Sequence, residues 1–423
     1  MACIGAFFNS SDNAAIINGI PANPADIAWM MTATGLVLLM TPGLSYFYGG
    51  MVSNKNIIST MLQSVIAMSL ISLIWVVVGF SLSFGDSIGG IIGNPFTFFM
   101  FKGVGESTNP SLSPTIPLLL FAMFQLKFAI ITPALITGSF AERVRFSSYL
   151  LFMILFSLFI YAPLAHMTWH PNGLLRKLGV LDFAGGTVVH MSAGFAALAG
   201  AMILGRRHSH LKAEKHAPAN IPYVILGTGL LWFGWFGFNA GSALGANPLA
   251  TLAFATTNTA SASAALSWIG LDILLGRKPS ASGTSIGAVV GLVAITPAAG
   301  FVSVGASIFI GFSAAIISNL AVTLKSKSNL DDTLDVFPCH GLGGIVGMVM
   351  TGVFAKNFGL LFGQTHTFLV HIIALIFVSI FSFGGSFILY KITDLLIPLR
   401  VTKEQEKIGL DLSQHDESIH TYL

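Results

Sequence analysis

The chain has 423 residues, of which 54% are hydrophobic and only 9% charged. Soluble domains carry about 25% charged residues, so this chain cannot cover a water-facing surface; a soluble globular class is excluded, and nucleic acid is not an expected partner. The mean hydropathy of +0.80 indicates a polytopic membrane protein, and the net charge of +3 says little because a membrane protein sorts its charges by side.

Residues 1–26 are a short polar lead with Pro21 and Pro24. The first basic residue is Lys55, so a cleaved signal peptide, which needs basic residues ahead of its apolar run, is not expected. Apolar stretches of about 20 residues can cross the hydrocarbon core as helices. Eleven occur, at 27–49, 57–83, 115–140, 146–166, 183–205, 221–239, 249–274, 282–298, 301–324, 336–355 and 367–392. The expected fold is an all-α polytopic membrane protein with a transmembrane domain over 27–392 and a polar cytoplasmic tail over 393–423. The tail is either disordered or packed on the inner face as a regulatory element.

Several polar or aromatic residues interrupt these stretches. The third contains Phe124 and Phe128 at i,i+4 spacing, with Lys127 between them. The fourth ends in "HMTWH", which holds Trp169 and a His166-x₃-His170 pair. The fifth is headed by Asp182 and keeps His190 about 12 Å into a helix. An ionisable residue at that depth is rare and usually functional. The sixth ends in "WFGFNAGS", placing Phe238 four residues before Ser242. Ring faces of this kind can hold a small cation by cation–π attraction, and the Ser242 hydroxyl can accept a hydrogen bond from it. Asp182 ahead of Phe-Ala-Gly-Gly is a good N-cap, and Asp335 ahead of His340 gets the same reading.

A metal site is not expected. The His166/His170 pair and "RRHSH" lie at loop edges without further ligands, and Cys3 and Cys339 have no metal-ligand spacing. No nucleophile elbow, phosphate-binding loop or kinase-like motif is present, so neither an enzyme nor a cofactor is expected.

The pattern is duplicated. Asp182-x₇-His190 matches Asp332-x₇-His340, and Thr34-Gly35-Leu36 with Gly43 matches Thr228-Gly229-Leu230 with Gly237. Two copies of five helices, at about 27–205 and 221–355, must have opposite orientation, with 367–392 as an eleventh helix. Inverted repeats place a substrate path at their interface, which predicts that His190 and His340 face one another. Two neutral imidazoles can share one hydrogen bond and each keep a nitrogen facing a pore. Counting Lys and Arg by side with the N-terminus outside gives 15 inside against 4 outside, with Lys127 within a span. The expected orientation is therefore N-out and C-in.

With these residues in place, the sequence resembles the ammonium transporter family (Amt/Mep, related to Rh proteins). "DFAGGTVVH", "FAERVRFSSYLLF", "APLAHMTW", "GWFGFNAGSAL", "DVFPCHGLGGIVGMVMTGVFA" and "LRVTKEQEKIGLDLSQH" occur in the family's order over nearly the whole chain. The resemblance implies an eleven-helix homotrimer with one pore per subunit, in the plasma (inner) membrane. By that resemblance His190 and His340 are twin pore histidines, and Phe128 and Phe238 a stacked gate. Phe124, Trp169 and Ser242 form an outer ammonium site floored by Phe128, and Asp182 is the acidic residue beside it. Lys127 departs from the family pattern. So does the ending "HDESIHTYL", which bears on docking of a PII-type regulatory protein. The expected function is electrogenic ammonium uptake, with an electroneutral ammonia channel or an ammonium sensor with a signalling tail as alternatives.

Overall fold

The protein is described by a computed structural model over residues 22–212 and 217–419. Cys3, most of the N-terminal lead, Lys215 and the last four residues of the tail lie outside the described residues.

Helices stand at every one of the eleven apolar stretches. They are α1 Pro24–Met51, α2 Asn54–Phe84, α3 Leu118–Phe140, α4 at 146–169, α5 Gly186–Leu204 and α6 Ile221–Gly241. The remainder are α7 Pro248–Leu274, α8 Ala281–Ile295, α9 Val304–Ser326, α10 Phe337–Phe354 and α11 Thr365–Leu396. Among the described residues, nine helical segments are long and apolar enough to cross a membrane. The two outside that set are α8, which has 15 residues, and α7, whose middle reads TTNTASAS.

Polar residues between the apolar runs fix where the helices begin. Asn23, Asn220, Asn247, Ser280 and Ser303 each accept a backbone N–H of the first turn of α1, α6, α7, α8 and α9, satisfying donors that a helix start leaves open. Most boundaries shift by a few residues from the sequence expectation, and three of the shifts have a plain local cause. α3 begins at Leu118 because Ser113–Pro117 pairs as a short strand with Thr108–Asn109. α8 ends at Ile295, two residues ahead of Pro297, a residue that disfavours helix before it. α5 begins at Gly186 rather than 183, because Asp182 closes a turn over residues 185–187 and Gly185 takes a φ of 120°.

α1 and α6 run antiparallel and share a glycine-lined contact. A Cβ at Gly43 would stand 2.9 Å from the Leu230 Cβ, and one at Gly237 would stand 2.6 Å from the Leu36 Cβ. The two halves of the duplicated Leu/Gly pattern thus pack reciprocally, each glycine against the other helix's leucine. Small residues let membrane helices approach this closely without any hydrophobic drive between them.

Past α11 the chain returns to the body of the molecule. Helix α12 Lys403–Ile408 opens with a capping box of Thr402 and Gln405, and α13 Leu410–His415 follows. The Asp411 carboxylate accepts the backbone N–H groups of Ile58 (3.1 Å) and Ser59 (2.8 Å), near the start of α2. Leu410 N–H donates to Asn56 Oδ1, and Lys55 Nζ donates to the carbonyls of Glu406 and Lys407. Of the two readings of the tail, the described part is packed.

Candidate functional site

The two histidines sit on matching irregularities. His190 lies in a π-helical turn, Gly186–Met191, at the start of α5, and His340 in another, Phe337–Gly341, at the start of α10. Single π-turns inside α-helices recur at functional sites. Each turn is headed by a buried aspartate. Asp182 accepts from Gly185 N (2.8 Å), Gly186 N (2.7 Å), Thr187 N (2.7 Å) and Thr187 Oγ1 (2.5 Å). Asp332 accepts from Val336 N (3.1 Å) and Phe337 N (2.8 Å). The capping role read for Asp335 therefore belongs to Asp332. Asp335 has a φ of 60° and pairs with Lys325 Nζ at 2.6 Å.

The helices that follow cross by the same device in both directions. A Cβ at Gly194, four residues after His190, would collide with the backbone of Gly341, while one at Gly344, four after His340, would meet the Gly186 carbonyl and Met191. This close crossing brings the imidazoles together. His190 Nδ1 and His340 Nδ1 are 3.3 Å apart, with ring centroids 5.4 Å apart and planes inclined by 24°. One Nδ1 must donate and the other accept, so one ring presents a bare Nε2 and the other an Nε2–H. His190 Nε2 is buried without a hydrogen-bond partner among the described residues.

Aromatic rings continue from the histidines to a cavity. Phe238 lies 6.1 Å from His190, and Phe128 stacks on Phe238 with centroids 4.2 Å apart and planes at 29°. Trp169 meets Phe128 edge-on at 5.7 Å, and its Nε1–H is tied to the Asp182 carbonyl at 3.2 Å. Phe128, Trp169, Asp182 and Ser242 line a cavity of about 250 Å³, together with Gln125, Arg176, Phe183 and Phe301 among others. Ser242 donates its hydroxyl proton to the Phe238 carbonyl at 2.8 Å, so the oxygen's lone pairs are what it offers a ligand. Asp182 has its acceptor sites filled by the four bonds named above, so toward the cavity it acts through its charge.

The structure brings His190, His340, Phe128, Phe238, Trp169, Ser242 and Asp182 into one continuous cluster. Phe124 stands behind Phe128, 5.0 Å away edge-on and against Gly241, and is not among the residues that line the cavity. Lys127 is buried on the same helix and does not line it either. His166 and His170 stack at 4.4 Å, and His166 is engaged by Ser87 Oγ and the Ser83 carbonyl. No group of three or more potential metal ligands occurs among the described residues.

Two neighbours escaped the sequence reading. Trp235 stacks on His190 at 5.4 Å and 18°, held by an Nε1–H bond to Thr296 Oγ1. Gln125 lines the cavity with a buried Oε1 that has no partner among the described residues. Helical spacing was the available signal, since Trp235 stands three residues before Phe238 and Gln125 three before Phe128.

Below the histidines, on the side of the tail, charged residues are buried in pairs. Arg207 bonds Glu142 at 2.7 Å and Asp331 at 2.9 Å. Burial alone would lift the Asp331 carboxyl, but the Arg207 hydrogen bonds and the charges of Arg143 and Arg207 hold it below the usual carboxylate range.

The sequence model of the Ammonium Transporter Family matches residues 28–420. The ammonium transporter of Aquifex aeolicus is 45% identical, with 99% of this chain and 98% of that protein covered. Ammonium transporter Amt1 of Archaeoglobus fulgidus is 43% identical over 94% of this chain and 99% of its own. Among solved structures, Mep2 of Saccharomyces cerevisiae superposes with a TM-score of 0.85 at 33% identity, covering 91% of this chain and 89% of its own. A structure described as a sensor Amt protein superposes with a TM-score of 0.86 at 30% identity, covering 92% and 98%.

Proposed function

The chain belongs to the ammonium transporter family, and from that membership we propose that it takes up ammonium across the plasma membrane by stripping and separately moving a proton. The observation that carries this reading is the unbroken row of rings from the cavity to the shared imidazole bond: Phe128, Phe238, His190, His340.

A bare ammonium ion entering an apolar passage costs tens of kcal/mol by ideal Born estimates, and a cation–π contact returns only about 0.5–2 kcal/mol. Aromatics can therefore recruit the ion but cannot carry it. Ammonium binds in the cavity against Phe128 and Trp169, with the Ser242 oxygen accepting one N–H and the Asp182 charge favouring the cation. It loses a proton there, and neutral ammonia passes the Phe128/Phe238 gate. Phe124 supports the site by packing behind Phe128. The imidazole pair, with one bare and one protonated Nε2, can take up, pass and return a proton. Potassium has no proton to lose and is excluded.

The proton is relayed inward through His190 and His340, so one charge crosses per cycle. A membrane potential of 100 mV is worth about 2.3 kcal/mol per charge, which supports roughly 50-fold accumulation. The reciprocal packing of α1 with α6 and of α5 with α10 supports two inverted five-helix copies within eleven spans. The protein then runs N-out and C-in, functions as a homotrimer, and leaves its tail side open to a PII-type regulator.

Solid-supported membrane electrophysiology on reconstituted protein tests the mechanism. Ammonium gives a transient current that an equal potassium pulse does not, and His190→Ala abolishes or alters it. An electrically silent ammonia flux would leave an electroneutral channel instead, and unchanged charge movement in His190→Ala would remove that residue from the relay. The likeness to the sensor Amt protein, with the docked tail, favours a second reading as an ammonium sensor. Absence of uptake in a strain lacking other ammonium transport would select it.

A further inference from the structure

A buried histidine on α11, His371, takes no part in the ring stack, and both of its ring nitrogens are engaged. Nδ1 stands 2.8 Å from the Met348 carbonyl on α10, and Nε2 stands 2.9 Å from the backbone nitrogen of Leu181. A carbonyl can only accept and an N–H can only donate, so these partners fix one form of the ring, with the proton on Nδ1 and Nε2 bare. Leu181 immediately precedes Asp182, in a stretch at 181–185 that belongs to no helix or strand. Backbone of that kind must find its hydrogen bonds elsewhere, and neighbours supply them. His371 takes the Leu181 N–H, Trp169 Nε1–H reaches the Asp182 carbonyl at 3.2 Å, and the Pro297 carbonyl takes the Phe183 N–H at 3.1 Å. Trp169 and Asp182 both line the outer cavity.

We propose, on the strength of the transport reading above, that His371 is a positioning residue for the ammonium site. By holding the Leu181 N–H it sets where Asp182 and Trp169 stand. By donating to the Met348 carbonyl it ties that loop to α10, the helix that begins with the His340 turn. Asp182 acts on the cation through its charge and Trp169 through its ring, and both attractions fall with distance. A loop that drifts therefore recruits ammonium less well. His371 is not among the residues that line the cavity, so it acts only through the residues it holds. Without its Nε2, the Leu181 N–H loses its acceptor, and the loop must move to find another or let water in.

The test compares two substitutions in the full chain, reconstituted in proteoliposomes. In His371→Gln the side-chain amide reaches about as far as Nε2 and can still accept from Leu181. In His371→Asn the shorter amide can meet Met348 but not Leu181. The half-saturating ammonium concentration of the evoked current is expected to rise about fivefold or more in His371→Asn, with the maximal current much less changed, and to stay within about twofold of wild type in His371→Gln. His366→Gln, exposed at the start of α11, should change neither quantity. Amide exchange read by mass spectrometry on the same proteins needs no transport. The Leu181 amide should exchange slowly in wild type and His371→Gln and fast in His371→Asn. The proposal is overturned if His371→Asn keeps the wild-type half-saturation, if His371→Gln shows the same rise, or if the wild-type Leu181 amide exchanges as fast as that of the exposed Gly103. Should His371→Asn fail to fold, wild type and His371→Gln still decide by the last two of these outcomes. A wild type without ammonium-evoked current would instead strike the electrogenic reading, and amide exchange in the two variants would still decide whether His371 holds the loop.

Discussion

Asp182 and Asp332 head the two histidine turns, yet their surroundings differ, and so do the consequences of changing them. Asp182 satisfies three backbone donors and the Thr187 hydroxyl. Asp182→Ala leaves buried N–H groups unpaired, at about 1–3 kcal/mol each, so a loss on the order of 3 kcal/mol is expected in thermal unfolding of purified protein. Asp182→Asn should lose less, because one amide oxygen still accepts. Asp332 is fully buried, and burial lifts its carboxyl to about 6; Lys325 opposes the shift, Asp335 adds to it, and the two backbone donors oppose it. The sign follows from linkage. The ordinary carboxyl value is about 3.9, so between that pH and about 6 the folded state holds a proton that the unfolded chain has released. This contribution is complete below pH 4 and is lost as pH rises through about 6, a swing of about 3 kcal/mol. Comparing unfolding midpoints of wild type and Asp332→Asn from pH 4.5 to 7.5 isolates it: the wild type should show the additional downward slope. Parallel profiles would show that Asp332 does not titrate in this range.

At the scale of elements, the crossing of α5 and α10 sets the separation of the imidazoles. Gly194 has the Gly341 backbone against it, and Gly344 has the Gly186 carbonyl. Gly194→Ala forces backbone apart rather than a flexible side-chain tip, and overpacking of this kind costs about 1–3 kcal/mol. Beyond that loss, the histidine rings should separate, so ammonium-evoked current should fall more than stability does. Gly35→Ala, with nothing within 4 Å of the added carbon, is the matched control and should be neutral on both counts. The helices themselves were legible because long apolar runs broken by Asn, Ser and Pro leave few alternatives, and all eleven stretches proved helical. The duplicated Asp-x₇-His spacing also placed His190 opposite His340. The side-chain choice within a turn was harder to read. Asp332 and Asp335 both precede His340; the duplicated spacing aligns Asp332 with Asp182, and the backbone path, with Asp335 at positive φ, makes Asp332 the cap. Likewise Phe124 and Gln125 differ by one position on α3, and the helix's rotation puts Gln125 rather than Phe124 at the cavity wall.

At the scale of the molecule, α7 and α8 decide the topology, because they are the two helices that fall outside the long apolar set. The residue count of α8 gives about 22 Å of helix, short of a hydrocarbon core of about 30 Å. The chain continues, however, through turns at 296–301 in which nearly every residue is buried within the protein. Irregular backbone at membrane depth is tolerated where protein surrounds it, so α8 and its turns together can complete a crossing. The charges agree: Arg277 and Lys278 precede α8, and none of the Lys or Arg residues lies between it and Lys325. Lys278→Cys and Val304→Cys, in a Cys3→Ser background with Cys339 buried, bracket the segment at exposed positions. An impermeant maleimide applied to intact cells should label residue 304 and spare residue 278 until the membrane is opened. Labelling of both from one side would mean that α8 re-enters without crossing, which would invert every element after it and place the charge-rich loop at 325–335 opposite the α2 turn to which it is joined through Arg207, Glu142 and Asp331. Those contacts hold both segments together, which is why labelling of residue 304 from outside and of residue 278 from inside is the expected outcome.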